Sequence, residues 1–140
     1  MKYLITAISF FAVLLGNANA ESSNIEKYKK NYAEQLIPLL KERMGTETKM
    51  ETQADAHEHV STIAKRMADC QLLAIEGYPQ KYQDASIEPV INGADIRKTT
   101  NDVNEFIQTD IKNGELSEQE FKTMTEAAIE KYKVCLSYPE

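Results

Sequence analysis

The sequence has no tryptophan, two cysteines, five glycines and four prolines in 140 residues. Two cysteines are too few for a disulfide-dense mini-protein, and without a C-x-x-C spacing a dithiol oxidoreductase lacks its motif. The glycines after Gly16 stand alone at 45, 77, 93 and 114, so no Gly-rich loop is present to cradle a phosphate. An excess of positive charge is missing as well. Lys and Arg number 16 against 22 Asp and Glu, a formal net charge of −6. Phosphate backbones and anionic lipid surfaces require the opposite balance, which excludes binding to nucleic acid through bulk charge. There is no G-x-S-x-G nucleophile elbow. The only two histidines share one tripeptide, so imidazole bases are scarce. Strand patterning is nearly absent: only Ile87–Ile91 has a β-like composition, and Pro89 interrupts it.

One long hydrophobic run is present, and it comes first. Residues 1–20 read MKYLITAISFFAVLLGNANA. Lys2 supplies a charged start, Leu4–Leu15 an apolar stretch, and Ala18 and Ala20 small residues at −3 and −1 of a cut before Glu21. This three-part pattern predicts a cleavable signal peptide over 1–20 and export to the periplasm or beyond the cell. The run is short for a membrane-spanning helix, and Cys70 is the first cysteine, so no lipid-attachment cysteine lies at the cut. The expected mature chain is 21–140. It loses Lys2 and carries 15 bases against 22 acids, a charge of −7. That length makes one domain burying roughly two-thirds of its unfolded surface. Its strongest apolar run, Leu36–Leu40, contains Pro38, so no membrane segment is expected after cleavage. The acidic balance suits a cationic protein partner through steered encounter.

Apolar residues recur with helical period. Ile25, Tyr28, Tyr32, Leu36, Leu39 and Leu40 form one face of a first helix, with Asn24 as its expected N-cap, a kink at Pro38 and a stop at Gly45. A second helix starts near Thr48 or Thr52, with Thr48 and Glu51 at capping-box spacing. Its face is Ala56, Val60, Ile63, Ala64, Met67, Cys70 and Ala74, and Gly77 and Pro79 end it. Residues 78–94 read as an irregular connection with room for one helical turn. A third helix is expected from about Asp95 to Asn113 along Ile96, Thr100, Val103, Ile107 and Ile111, with Gly114 as its C′ residue. The fourth has the strongest start signal: Ser117 and Glu120 form a capping box, and Leu116 and Phe121 a hydrophobic staple. Phe121, Met124, Ala128, Tyr132, Cys135 and Leu136 line its face. The fold class is all-α, a small bundle of about four main helices forming a single domain over 21–140.

Cys70 and Cys135 both fall on apolar helix faces. Export places them in an oxidising compartment, so a Cys70–Cys135 disulfide is expected between the second and last helices. Free or intermolecular thiols are the alternative.

Candidate chemistry is sparse. His57 and His59 stand two apart on a helix, hence about 200° apart, and cannot converge on one ion. Glu51, Asp55 and His59, spaced by four, form a better candidate metal set, although a solvated flank accounts for the same residues. Met44, Met50 and Met67 carry thioethers of the kind that bind Cu(I), yet packing explains them equally well. Residues 109–120 mimic a calcium loop in Gly114, Leu116 and Glu120, but Ile111 stands where such a loop needs an oxygen ligand. Tyr78, Pro79 and Tyr82 are candidate partner-binding residues, because tyrosine joins rigid apolar area to a polar tip. No catalytic set and no cofactor motif emerge.

These traits point to an exported, non-catalytic protein that binds a protein partner. In build (exported, acidic, helical, pinned by one disulfide) the chain resembles the small helical immunity proteins that protect against type VI secretion amidases. That resemblance implies an inhibitor of a cationic cell-wall hydrolase. One alternative is a periplasmic stress chaperone. Full protonation in acid would take the side-chain charge of 21–140 from −7 towards +17, loosening the bundle. The other alternative is a metal or small-ligand binder.

Overall fold

The computed structural model describes residues 14–44 and 53–138, with side chains from residue 22 in the first helix and from 55 in the second. Among these residues it is all-α. The helices are α1 (Leu14–Met44), α2 (Gln53–Ile75), α3 (Gln80–Ile91), α4 (Ile96–Asn113) and α5 (Glu118–Ser137). Helices α1, α2, α4 and α5 are the four main helices expected. Most of the expected signal peptide lies outside the described residues. So do Gly45, Thr48, Met50, Glu51 and Thr52.

Two features differ from the sequence reading. The stretch 78–94 is not an irregular connection; it holds the 12-residue helix α3. Its N-terminus has no side-chain cap, and Pro89 lies inside it, so the usual start and continuation signals are missing. What holds it is tertiary. Tyr82 and Val90 are buried, and Asn31 Nδ2 of α1 donates to the carbonyls of Val90 at 2.9 Å and Ile91 at 3.2 Å. The second difference concerns Asn24, which lies within α1 rather than capping it. No proline interrupts 14–24, and extending a formed helix adds one bond for each residue fixed. Pro38 also sits inside α1, which continues past it to Met44.

Helix α2 lies between α1 and α5, while α3 packs against both α1 and α4. Tyr28 of α1, Val90 of α3 and Ile96 of α4 form one buried cluster, supported by Tyr32, Leu36, Leu72 and Ile87. Tyr82, Val103, Ile107 and Leu116 form another, against which Phe121 and Met124 of α5 pack. The α1–α2 seam is built on small residues, with Ala33, Ala64 and Ala68 buried, which lets the two backbones approach closely.

The α4–α5 corner matches its sequence signals. Asp95 caps α4 by accepting from the Lys98 N–H at 2.8 Å. Gly114 takes the left-handed conformation, φ 75°, that ends α4. Ser117 Oγ accepts from the Glu120 N–H at 3.1 Å, and the Glu120 carboxylate accepts from the Ser117 N–H at 2.8 Å. The calcium-like spacing of 109–120 is therefore a helix end followed by a capping box. The Cys70–Cys135 disulfide is formed, with Cα atoms 5.5 Å apart, and joins α2 to α5. Arg66 of α2 reinforces that end, donating to the Cys135 carbonyl at 2.9 Å. No α5 residue is fully buried, so the covalent tie and the half-buried Phe121, Met124, Ala128 and Tyr132 hold this helix in place.

Candidate functional site

An open trough of about 920 Å³ lies where α1, α2 and α3 meet. Its apolar floor comes from Ile25 of α1, Leu72 and Leu73 of α2, and Ile87 and Ile91 of α3. Leu73 is 40% exposed and Ile25 37%, high values for large aliphatic side chains. The periodicity that puts Tyr28 in the core places Ile25 at the mouth instead. Four carboxylates rim the trough: Asp69 from α2, Glu76 from the turn that follows it, and Asp84 and Glu88 from α3. On α2 the spacing 69, 72/73 sets Asp69 and the leucines on one face, Glu76 joins the rim from the turn after α2, and on α3 the spacings 84, 88 and 87, 91 do the same. The one cation in the lining, Lys29, is paired with Asp69 at 2.8 Å. That contact raises the Lys29 ammonium pKa and keeps it charged. The trough therefore presents exposed aliphatic surface inside a net negative rim.

A smaller pit, about 120 Å³, opens between α1, α3 and α4. Tyr28 and Tyr32 stack at its wall, with ring centroids 5.5 Å apart. Burial raises both phenols, Tyr32 to about 12, so both remain protonated at neutral pH. Thr99, 5% exposed, contributes a hydroxyl with no hydrogen-bond partner among the described residues.

Asp110 lies buried, 4% exposed, under the α3–α4 contact. Its Oδ2 accepts from the Tyr82 hydroxyl at 2.6 Å and pairs with Lys81 Nζ at 2.6 Å. Lys81 also sits 5.1 Å from the Tyr82 ring centroid and 5.6 Å from that of Phe106. The Lys81 hydrogen bond holds the Asp110 carboxyl below the usual carboxylate range, and Asp110 in turn raises the Lys81 ammonium. Burial raises the Tyr82 phenol, with the Asp110 bond adding to it. None of the three is poised to exchange a proton near neutrality. The arrangement is a clasp between α3 and α4 rather than acid–base machinery.

The structure separates the three residues expected to bind a partner. Tyr82 is fully buried, which corrects its assignment: α3 turns the ring inward onto Val103 and Ile107, and its hydroxyl is taken by Asp110. Tyr78 is half-buried, lines the pit, and brings its hydroxyl within 3.5 Å of Thr125 Oγ1. Pro79 is exposed at the start of α3. Of the metal candidates, Asp55 and His59 are exposed on α2, as is His57, and Glu51 lies outside the described residues. Among the described residues no three His, Cys, Asp or Glu side chains stand together as a metal site. No described helix is long and apolar enough to cross a membrane.

The sequence reading missed the rim acids, the Asp110 clasp and Thr99. Reading 80–91 as a helix would have exposed the paired i, i+4 steps of Asp84–Glu88 and Ile87–Ile91. Thr99 and Asp110 stand three or four residues from Ile96, Val103 and Ile107, but as polar residues they escape an apolar stripe. Comparison with protein-family models, curated proteins and solved structures finds no match for the chain.

Proposed function

We propose that this chain is an exported, non-catalytic helical protein that binds a protein partner, and that the α1–α2–α3 trough receives a cationic amphipathic segment of that partner. The observation carrying this reading is the apolar floor, with Ile25 and Leu73 exposed and Leu72 half-buried, inside the rim of Asp69, Glu76, Asp84 and Glu88. An amphipathic helix laid into such a groove buries its aliphatic face while its basic flanks meet the acids. A basic cell-wall hydrolase, blocked by an inhibitor or immunity protein, meets these chemical requirements. Export rests on the 1–20 pattern and is compatible with the disulfide.

The test uses a designed Leu/Lys helical peptide with leucines at i, i+3, i+4 and i+7, and a Leu/Glu counterpart. The Leu/Lys peptide should bind with an association rate that falls with salt. Glu76→Lys with Glu88→Lys should slow association, and Leu73→Asp should abolish binding. Equal affinity for the Leu/Glu peptide, or indifference to Leu73→Asp, overturns the proposal.

A second reading, a periplasmic acid chaperone, draws on α5 and its C-cap, where Ile129, Val134, Leu136 and Tyr138 are all exposed. Suppression of client aggregation at pH 2–3 but not at pH 7 would favour it. A protein inert at both pH values removes it.

A further inference from the structure

The pit between α1, α3 and α4 is chemically unlike the rest of the molecule. In a chain with 27% charged residues, none of the residues lining it is charged. Its polar groups are neutral: the phenols of Tyr28, Tyr32 and Tyr78, the amide of Gln71, and the hydroxyls of Ser86, Thr99 and Thr100. The remaining lining is aliphatic, from residues such as Val90 and Val103. Several hydroxyls are already directed. Ser86 Oγ donates to the Tyr82 carbonyl at 2.7 Å and Thr100 Oγ1 to the Ile96 carbonyl at 2.8 Å. Each spends its proton on its own helix and keeps oxygen lone pairs for an incoming donor. The protonated phenols of Tyr28 and Tyr32 supply the complementary donors.

Thr99 is the telling residue. A buried hydroxyl without a partner is a cost that valine, of the same shape, would not incur. A volume of 120 Å³ is well above what one water needs, so the pit admits several waters or one small molecule. Neutral donors and acceptors beside aliphatic carbon and two stacked rings match a compact, uncharged polyhydroxyl compound. Its hydroxyls satisfy the lining, and its C–H edge meets the valines and tyrosines.

We propose that this pit is a binding site for a small neutral polyol, of three or four carbons or the hydroxymethyl end of a sugar. The site shares only the buried Ile75 with the acidic trough and none of its carboxylates, and the proposal does not depend on the trough.

The experiment uses meso-erythritol as probe and erythronate as its charged near-isostere. The chain is expressed with residues 1–20 in place and purified as the host delivers it. Heteronuclear NMR should show saturable erythritol shifts at α3 and α4 with a millimolar Kd, and at least tenfold weaker binding of erythronate. Thr99→Val should raise the melting temperature of the ligand-free protein while weakening erythritol about tenfold, the loss of one hydrogen bond. Ser86→Ala serves as a second variant should the first fail to fold, and should also weaken erythritol. Leu73→Asp, in the trough, should leave erythritol binding unchanged.

A non-saturating response, the general effect of an excluded osmolyte, overturns the proposal. So does equal binding of erythronate. So does a Thr99→Val protein that melts lower than the parent or binds erythritol equally well.

Discussion

Gln35 offers the sharpest test of what holds the three-helix side together. Its amide reaches from α1 to the α3–α4 junction. Nε2 donates to the Ala94 carbonyl at 2.9 Å, and Oε1 accepts from the Ile96 N–H at 2.9 Å. One turn earlier, Asn31 Nδ2 donates to the carbonyls of Val90 at 2.9 Å and Ile91 at 3.2 Å. Two amides on one face of α1 thus satisfy the end of α3 and the start of α4, groups a helix cannot satisfy for itself. Gln35→Ala removes two part-buried bonds at about 1 kcal/mol each, a loss of about 2 kcal/mol. With a urea m-value of about 2 kcal/mol/M, the unfolding midpoint should fall by about 1 M. Gln35→Glu separates the two bonds. The carboxylate still accepts from Ile96 but cannot donate to Ala94, so about half the loss should appear at pH 7. Equilibrium urea unfolding followed by circular dichroism reads both variants, with Glu34→Ala as an exposed control on the same helix. A Gln35→Ala midpoint indistinguishable from that control refutes the clamp.

Four further outcomes are expected. Replacing Cys70 and Cys135 by serine opens a 65-residue separation, which the chain-entropy model values at about 4 kcal/mol, and amide exchange should rise first in α5, which has no fully buried residue. At alkaline pH, the raised phenols of Tyr28 and Tyr32 mean that the unfolded chain sheds those protons first. Stability should hold below about pH 10, then fall by up to about 1.4 kcal/mol per pH unit per phenol. A denaturation midpoint flat from pH 8 to 11.5 contradicts this. On the acid side, the depressed carboxyls of Asp110 and Glu120 contribute stability above the ordinary carboxylate range, lost as pH falls through their lowered values. Asp110→Asn should flatten that acid limb. Finally, N-terminal sequencing of the exported protein should begin at Glu21; an intact Met1 in the purified protein removes the export argument.

Much of the architecture was legible because its signals are local. The Ser117–Glu120 box, the Leu116–Phe121 staple and the Gly114 stop each act within a few residues, and each stands where the spacing places it. The disulfide was legible for a different reason: two cysteines on two apolar faces, behind a segment patterned like an export signal, leave one intramolecular pairing. Helix α3 was not legible. Its cap is Pro79 and its interior contains Pro89, so the residues that punctuate loops elsewhere sit here inside regular structure. Its stability comes from Tyr82, Val90 and the two α1 amides, contacts spanning as many as 60 residues of sequence.

The same distinction explains why the trough and the pit escaped the sequence. Both are bounded by α3. Once 80–91 is a helix, Ile87 and Ile91 meet Leu72 and Ile25, and Asp84 and Glu88 stand across from Asp69 and Glu76. Once α3 is seated on α4, Thr99 is covered and Thr100 is left on the rim, although the apolar stripe of α4 had pointed to position 100 as the inner one. The residue bearing the unexplained cost is therefore a polar one on the helical stripe of Ile96, Val103 and Ile107, one position from Thr100. A hydroxyl buried in this way and retained without a partner is poor packing unless something outside the chain meets it, which is why Thr99→Val separates a structural role from a binding one by the sign of its effect on the ligand-free protein.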